Sequence, residues 1–345
     1  MTKAFEESLS LFKDKISDCI KSKKSISITT HIDCDGLTSG SIIAKALIRE
    51  GAKYTLRTSK EFSKNVVESF KTDSRDFHII TDLGGGFGKD LNQTLGDNWI
   101  ILDHHQISEE EKDNQNIINA WKYEIDGGTE ISAGGMAYFA ATALNEKNSD
   151  LSEIAIVSAL GDRQDQGDKK SFTGKNFEIA NTAKELGLVD IDLDLLLVGR
   201  ETRPLAEALA FTSQPFIEGL TWNKETCLSV LNSAGIQLKE EGRWRVPAEL
   251  NEDEKKAVIE SITKFSSDKN TSEIMSELIG YTYTFPKEDK RSFLRDGREY
   301  STMLNSCGRI NRSGVGMAIC MGDRNKILTE GENILTDYRK MIKEY

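Results

Sequence analysis

Three of the four histidines of this 345-residue chain lie, together with aspartates, at the downstream ends of apolar runs. His31, Asp33 and Asp35 follow SISIT, and Asp82 follows FHIIT. Asp103, His104 and His105 close WIIL, and Asp162 closes SEIAIVSALG. One polar group at such a place is ordinarily a cap or a turn, and Asp-Gly at 35–36 is a common turn pair. Several such clusters gathered at one edge would repel one another unless a cation sat among them. Carboxylates with imidazoles suit Mn²⁺ or a related divalent ion better than structural zinc, which prefers thiolates. A central carboxylate such as Asp82 could bridge two ions. Two metals about 3.5–4 Å apart stabilise both oxygens of an in-line displacement at phosphorus.

The elements that must position these residues follow from the apolar pattern. SISIT, KYTLRT, FHIIT, WIIL and NIINAW read as strands. LTSGSIIAKALIRE, SKEFSKNVVESF, the stretch after Ser132 and LSEIAIVSAL read as helices between them. This alternation predicts an α/β fold with a mostly parallel, doubly wound N-terminal sheet, whose ligands bind beyond the carboxyl ends of the strands. The spacing of two between His31, Asp33 and Asp35 predicts an extended backbone pointing all three the same way. Before the first strand, Phe5, Leu9, Phe12, Ile16 and Ile20 recur at helical spacing.

The second half reads as a helical connector near 191–215 and helices near 223–235 and 250–266. A strand (ELIGYTYTF), a helix through YSTMLNSCG, a strand (GVGMAICMG) and a last helix from about 325 complete it. The expected organisation is a catalytic domain at 1–190, the connector, and a smaller α/β substrate domain at 216–345, with the metal site facing the cleft between them.

Composition fits a soluble globular protein, 38% hydrophobic and 29% charged, with no apolar run long enough for a membrane span and no signal-peptide core. A cytoplasmic protein without membrane contact is expected. Five cysteines with no CxxC pair predict reduced, packed thiols, Cys34 serving as a small spacer between aspartates. The net charge of −11 argues against non-specific coating of long nucleic acid. Between Pro286 and Arg312, however, seven basic residues face four acidic ones. Trp222 and Trp244 read as core residues and His78 as a packed histidine. The amides of SAGG at 132–135 suit either a phosphate at a helix start or simple close packing.

The set HIDCDG, TDLGGG, LDHHQ and ALGDRQD resembles the four motifs of the DHH phosphoesterases. NSCGRINRSGVGMAICMGD resembles the glycine-rich motif of the associated DHHA1 domain, with CGR replacing the common GGH form. The nearest resemblance is to archaeal RecJ-like single-strand exonucleases, relatives of bacterial RecJ and of the non-catalytic subunit of the eukaryotic replicative helicase. By position, the resemblance implies that His31, Asp33 and Asp82 hold one ion, and that Asp35, Asp82, His104 and Asp162 hold another. Asp162 is preferred to Asp165. His105 would contact the scissile phosphate and Asp103 would orient its histidine neighbours. The cofactor implied is Mn²⁺, two ions per site, with Mg²⁺ or Co²⁺ as substitutes. Asn305, Ser306, Gly308 and Arg309, read as a compact turn, would grip a phosphate with amides and a guanidinium. Arg295 either joins them or pairs with nearby acids.

The function implied is metal-dependent hydrolysis of single-stranded DNA or RNA, including short oligonucleotides. A small-molecule nucleotide phosphoesterase is the alternative. A RecJ-like replication scaffold, with partners of the GINS type, is a third reading.

Overall fold

The computed structural model describes residues 2–266 and 271–344, which form two compact units. The first comprises Met1–Gln166, Phe172–Leu188 and Ser301–Tyr345. Its elements begin with α1 (Lys3–Lys21), β1 (Ser25–His31), α2 (Cys34–Arg49), β2 (Lys53–Ser59), α3 (Lys64–Ser69) and β3 (Phe77–Thr81). They continue with α4 (Gly88–Leu95), β4 (Trp99–Asp103), β5 (Ile117–Asn119), α5 (Ala133–Leu144), α6 (Ser152–Gly161) and α7 (Gly174–Glu185).

The five strands lie in the order β2-β1-β3-β4-β5, every pair parallel. β3 and β4 are buried at every position, which is why FHIIT and WIILD run apolar without alternation. On α1 the helical stripe buries Phe5, Leu9, Phe12 and Ile16, each such side chain contributing about 1.5–3 kcal/mol relative to exposure. The chain leaves β1 toward β2 on one side and returns to β3 on the other. The order therefore reverses between β1 and β3, the place where open α/β sheets leave a crevice at their carboxyl edge.

The second unit comprises Gly167–Ser171 and Val189–Tyr300. It holds β6 (Asp190–Leu195), α8 (Leu205–Phe211), α9 (Lys224–Ser233), β7 (Lys239–Glu240), β8 (Arg243–Trp244) and α10 (Glu252–Phe265). α11 (Thr271–Leu278), β9 (Ile279–Thr284) and the first turn of α12 (Gly297–Arg309) follow. β6 pairs antiparallel with β9, and Leu205, Leu209, Leu231, Val258 and Ile262 centre its core. The expected helical connector at 191–215 is thus corrected. VDIDLDL alternates with period two and forms a strand, and only Leu205–Phe211 is helical. Trp222 and Trp244 are not core residues. Trp222 sits in a turn at φ 67° and is 65% exposed, and Trp244 lies in a two-residue hairpin with the Lys239 ammonium over its ring.

The remainder of α12, with α13 (Ser313–Met321) and α14 (Lys326–Glu344), belongs to the first unit. The fold therefore divides the stretch 216–345 between the two units. GVGMAICMG is helical rather than extended. A short apolar run carries no period that separates a buried helix from a buried strand, and Gly316 here lets α13 press on Leu37 of α2. Among the described residues no helix is long and apolar enough to cross a membrane. All five cysteines are buried thiols.

Candidate metal centre

His31 is the last residue of β1. The next turn does not continue the strand. Asp33 is extended and caps α2, its Oδ1 accepting from the Gly36 amide at 3.0 Å, and Asp35 already lies in the first helical turn. An aspartate is a strong N-cap, and a second carboxylate in the first turn is favoured by the helix dipole. Capping chemistry therefore overrides the extended spacing expected for 31–35. Asp82 follows β3 in the left-handed region, φ 63°, with its amide on the Leu102 carbonyl at 3.0 Å. Asp103 ends β4 and Asp162 caps the C-terminus of α6.

These residues converge. The ligand atoms of His31, Asp33 and Asp82 lie within 4.8 Å of one another, as do those of Asp35, His104 and Asp162, and those of Asp82, Asp103, His104 and His105. His31 Nδ1 is 2.8 Å from Asp33 Oδ2 and 3.7 Å from Asp82 Oδ2. His104 Nε2 is 3.2 Å from Asp35 Oδ2 and 3.3 Å from Asp82 Oδ1. His104 Nδ1 donates to the Gly127 carbonyl at 2.6 Å, because a carbonyl can only accept. Its Nε2 then faces two carboxylates, which raise the imidazole well above the ordinary histidine range despite its burial. Asp103 Oδ1 accepts from the amides of His104 and His105 at 2.8 and 3.2 Å and from His105 Nδ1 at 2.8 Å. That oxygen is fully used in holding its neighbours.

Asp82 carries the electrostatic tension of the cluster. It is buried and neither carboxylate oxygen has a hydrogen-bond partner. Burial, with repulsion from Asp35, raises its carboxyl to about 6. Burial and Asp35 likewise raise Asp162 to about 7. Asp35 is held below the usual range despite its burial, because His104, Ser158 and the Gly134 amide all favour the ionised form. His31 is lifted to about 10, chiefly by its hydrogen bond to Asp33, with the Asp82 carboxylate nearby adding to the effect. Buried carboxylate oxygens without hydrogen-bond partners, and acids pushed upward by burial and by one another, are what a divalent cation would relieve. The donor set, oxygens and imidazoles without thiolate, fits such an ion.

Several supporting residues give no signal in a sequence. Ser158, a hydroxyl amid the apolar residues of α6, donates to Asp35, as do the amides of Ala133 at 2.8 Å and Gly134 at 3.0 Å. The SAGG amides thus hold a carboxylate rather than a phosphate. Gln164 donates to Asp162 Oδ2 at 2.7 Å and to the Gly127 carbonyl at 2.8 Å. His78 is packed against Phe70, at 4.7 Å between ring centres.

The residues expected to grip phosphate are placed differently from the expectation. Asn305, Ser306, Gly308 and Arg309 belong to helix α12, not to a turn, so their amides are spent within it. Asn305 Oδ1 accepts from the Cys34 amide at 2.9 Å, between the two aspartates of the first motif. Ser306 is buried and bonds to the Thr302 carbonyl. A Cβ on Gly308 would stand 1.7 Å from the Ile32 carbonyl, so only glycine lets α12 lie on the metal loop. Arg309 is exposed on the last turn. Arg295 belongs to the second unit, where its guanidinium donates to the Pro286 and Glu288 carbonyls and faces Glu201 at 3.6 Å.

Residues 25–161 match the DHH family, N-terminal domain, and residues 197–279 match the DHH-CID domain. An uncharacterized protein of Methanocaldococcus jannaschii is 29% identical over 343 residues, 95% of this chain and 72% of that one. CDC45 from Entamoeba histolytica is similar in fold, with TM-score 0.68 and 15% identity over 99% of this chain and 72% of its own. The exonuclease RecJ bound to manganese gives TM-score 0.56 at 13% identity, covering 99% of this chain and 68% of that one. RecJ from Thermus thermophilus in complex with Mn²⁺ gives 0.53 at 14% identity over 99% of this chain and 39% of its own. With its motifs converging on one site and both domains matched, the chain carries the N-terminal domain of the DHH family and a DHH-CID domain, and its fold is RecJ-like.

Proposed function

We propose that this chain is a divalent-metal-dependent phosphodiesterase of the exonuclease type, acting on single-stranded DNA or RNA and on short oligonucleotides. The observation that carries this reading is the buried, unpartnered carboxylate of Asp82, set between two groups of ligand atoms. His31 and Asp33 would hold one ion with Asp82, and Asp35, His104 and Asp162 the other, again with Asp82. Mn²⁺ suits the oxygen and imidazole donors, with Mg²⁺ or Co²⁺ as substitutes. Such ions supply the charge that neutralises phosphoryl oxygens and makes water nucleophilic near neutral pH. RecJ exonucleases solved with manganese share the fold, which supports the assignment.

The chain's own groups supply the rest. Asp103 fixes His105 through Nδ1, leaving Nε2 on an exposed ring to meet a phosphate oxygen or to give a proton to the leaving alkoxide. The Gly127 carbonyl fixes the His104 ring in one tautomer. Ser158 and the α5 amides keep Asp35 ionised.

A small-molecule nucleotide phosphoesterase is the second reading, favoured by one observation. Arg291 and Arg295, counted in the cationic stretch, are engaged by Glu249 and Glu201 rather than presented to a long polyanion. End-labelled DNA and RNA oligomers of several lengths, and dinucleotides, separate the two in Mn²⁺. A ladder of shortened products supports the exonuclease. Turnover of dinucleotides alone supports the second reading, and full activity in EDTA overturns both.

A further inference from the structure

The loop between β3 and α4 contains three successive glycines, and only two are needed by the fold. Gly84 adopts φ 87°, and a Cβ on Gly85 would stand 2.9 Å from Asp103 Oδ2. Gly86 meets neither demand. It is exposed, lies outside the left-handed region, and a Cβ there would touch nothing within 4 Å. It does line a cavity of about 310 Å³ beside the metal cluster. His31, Asp82 and His105 form one side of that cavity, and Phe62 and Phe87 line it as well. The two rings stand 5.3 Å apart at 65°, half-buried, backed by a core that includes Val67, Phe70 and Leu91. Gln106, exposed, adds an amide that both donates and accepts.

No lysine or arginine lines this cavity. Beyond the metal ligands, the lining offers aromatic carbon and an amide without lysine or arginine, and is poorly suited to a second phosphate. It suits a flat, uncharged ring with hydrogen-bonding edges. The volume is at the lower end for small-molecule pockets and accommodates one nucleoside rather than a run of them. We infer that this cavity receives the base of the nucleotide next to the scissile phosphate. The assignment deepens the phosphodiesterase reading and rests on it. Glycine at 86 keeps the cavity open.

The test uses the full chain in Mn²⁺, with calorimetric titration of AMP and of ribose 5-phosphate, which lacks the base. AMP is expected to bind about five- to a hundredfold tighter, the range of one aromatic stacking contact. Phe87→Ala and Gly86→Leu should each abolish that preference while leaving Mn²⁺ affinity unchanged. If Phe87→Ala disturbs the fold, Gly86→Leu still decides, because a Cβ at that exposed position meets nothing within 4 Å. Equal affinity for the two probes, binding of neither, or a preference that survives Gly86→Leu would overturn the inference. A chain that prefers AMP yet hydrolyses no oligonucleotide would sink the exonuclease reading and keep the pocket. Hydrolysis without the preference would do the reverse.

Discussion

The two units treat buried acid in opposite ways. In the second, Asp194 meets Arg200 at 2.7 Å and Lys255 at 2.9 Å, Glu254 meets Arg245 at 2.6 Å, and Glu249 meets Arg291 at 2.6 Å. Burial alone would raise Asp194, but Arg200 and Lys255 outweigh it and hold the group below its ordinary range. In the first unit, Asp35, Asp82, Asp103 and Asp162 face one another, histidines and amides. Among the described residues no lysine or arginine pairs with them. At Asp82 and Asp162 burial is reinforced by repulsion and both rise, whereas Asp35 and Asp103 are held low by histidine, hydroxyl and amide partners. One unit carries its own counter-charges and the other withholds them. The withheld charge marks the place for a metal ion.

The contrast breaks most visibly by substitution at its two poles. Asp194→Ala should destabilise the protein by about 3–5 kcal/mol, the cost of stranding a buried cation, measured by denaturant unfolding. Asp82→Asn should do the opposite in EDTA and raise the melting temperature, because it removes a buried charge that has no hydrogen-bond partner. In Mn²⁺ the same variant should lose at least about a hundredfold in hydrolysis rate, beyond the effect expected of outer groups at a metal site. A fall in metal-free stability for Asp82→Asn comparable to that for Asp194→Ala would end the comparison.

Metal addition gives the next largest effect. Mn²⁺ at a hundredfold excess over Kd should stabilise the chain by about 2.7 kcal/mol for each independent site, reversed by EDTA. That shift should be absent from Asp82→Asn. Asn305→Ala comes third. Freeing the Cys34 amide should cost about 1 kcal/mol, as for a lost helix cap, and weaken Mn²⁺ binding about tenfold in a titration followed by electron paramagnetic resonance. Unchanged ion affinity would leave Asn305 as packing alone. The smallest effect is expected for Arg309→Ala, which should reduce the salt slope of oligonucleotide binding by about 0.7 and leave ion affinity intact.

Much of this arrangement is legible in the residue order. Strands β1, β3 and β4 announce themselves as apolar runs, and their polar ends meet because a parallel sheet brings its carboxyl ends to one edge. His31, Asp82 and the pair at 104–105 could therefore be gathered from spacing alone. The exceptions share a cause, since each depends on a partner distant in the chain. Asn305 acts on Cys34 across 271 positions, and Ser158 on Asp35 across 123. The strand character of Asp190–Leu195 needs β9, and the helical character of 313–321 needs the face of α2. Local pattern also failed at 33–35, where a cap turned an apparent strand into a helix.

Gly308 pressed on the Ile32 carbonyl has a consequence for synthesis. The loop bearing His31 and Asp33 leaves the ribosome well before Asn305, which braces it and emerges 271 positions after Cys34. Folding during translation proceeds from the N-terminal side. The sheet can assemble early, but its first motif stays unbraced until α12 arrives. A nascent or clipped chain that lacks α12 would hold a poorly formed ion site.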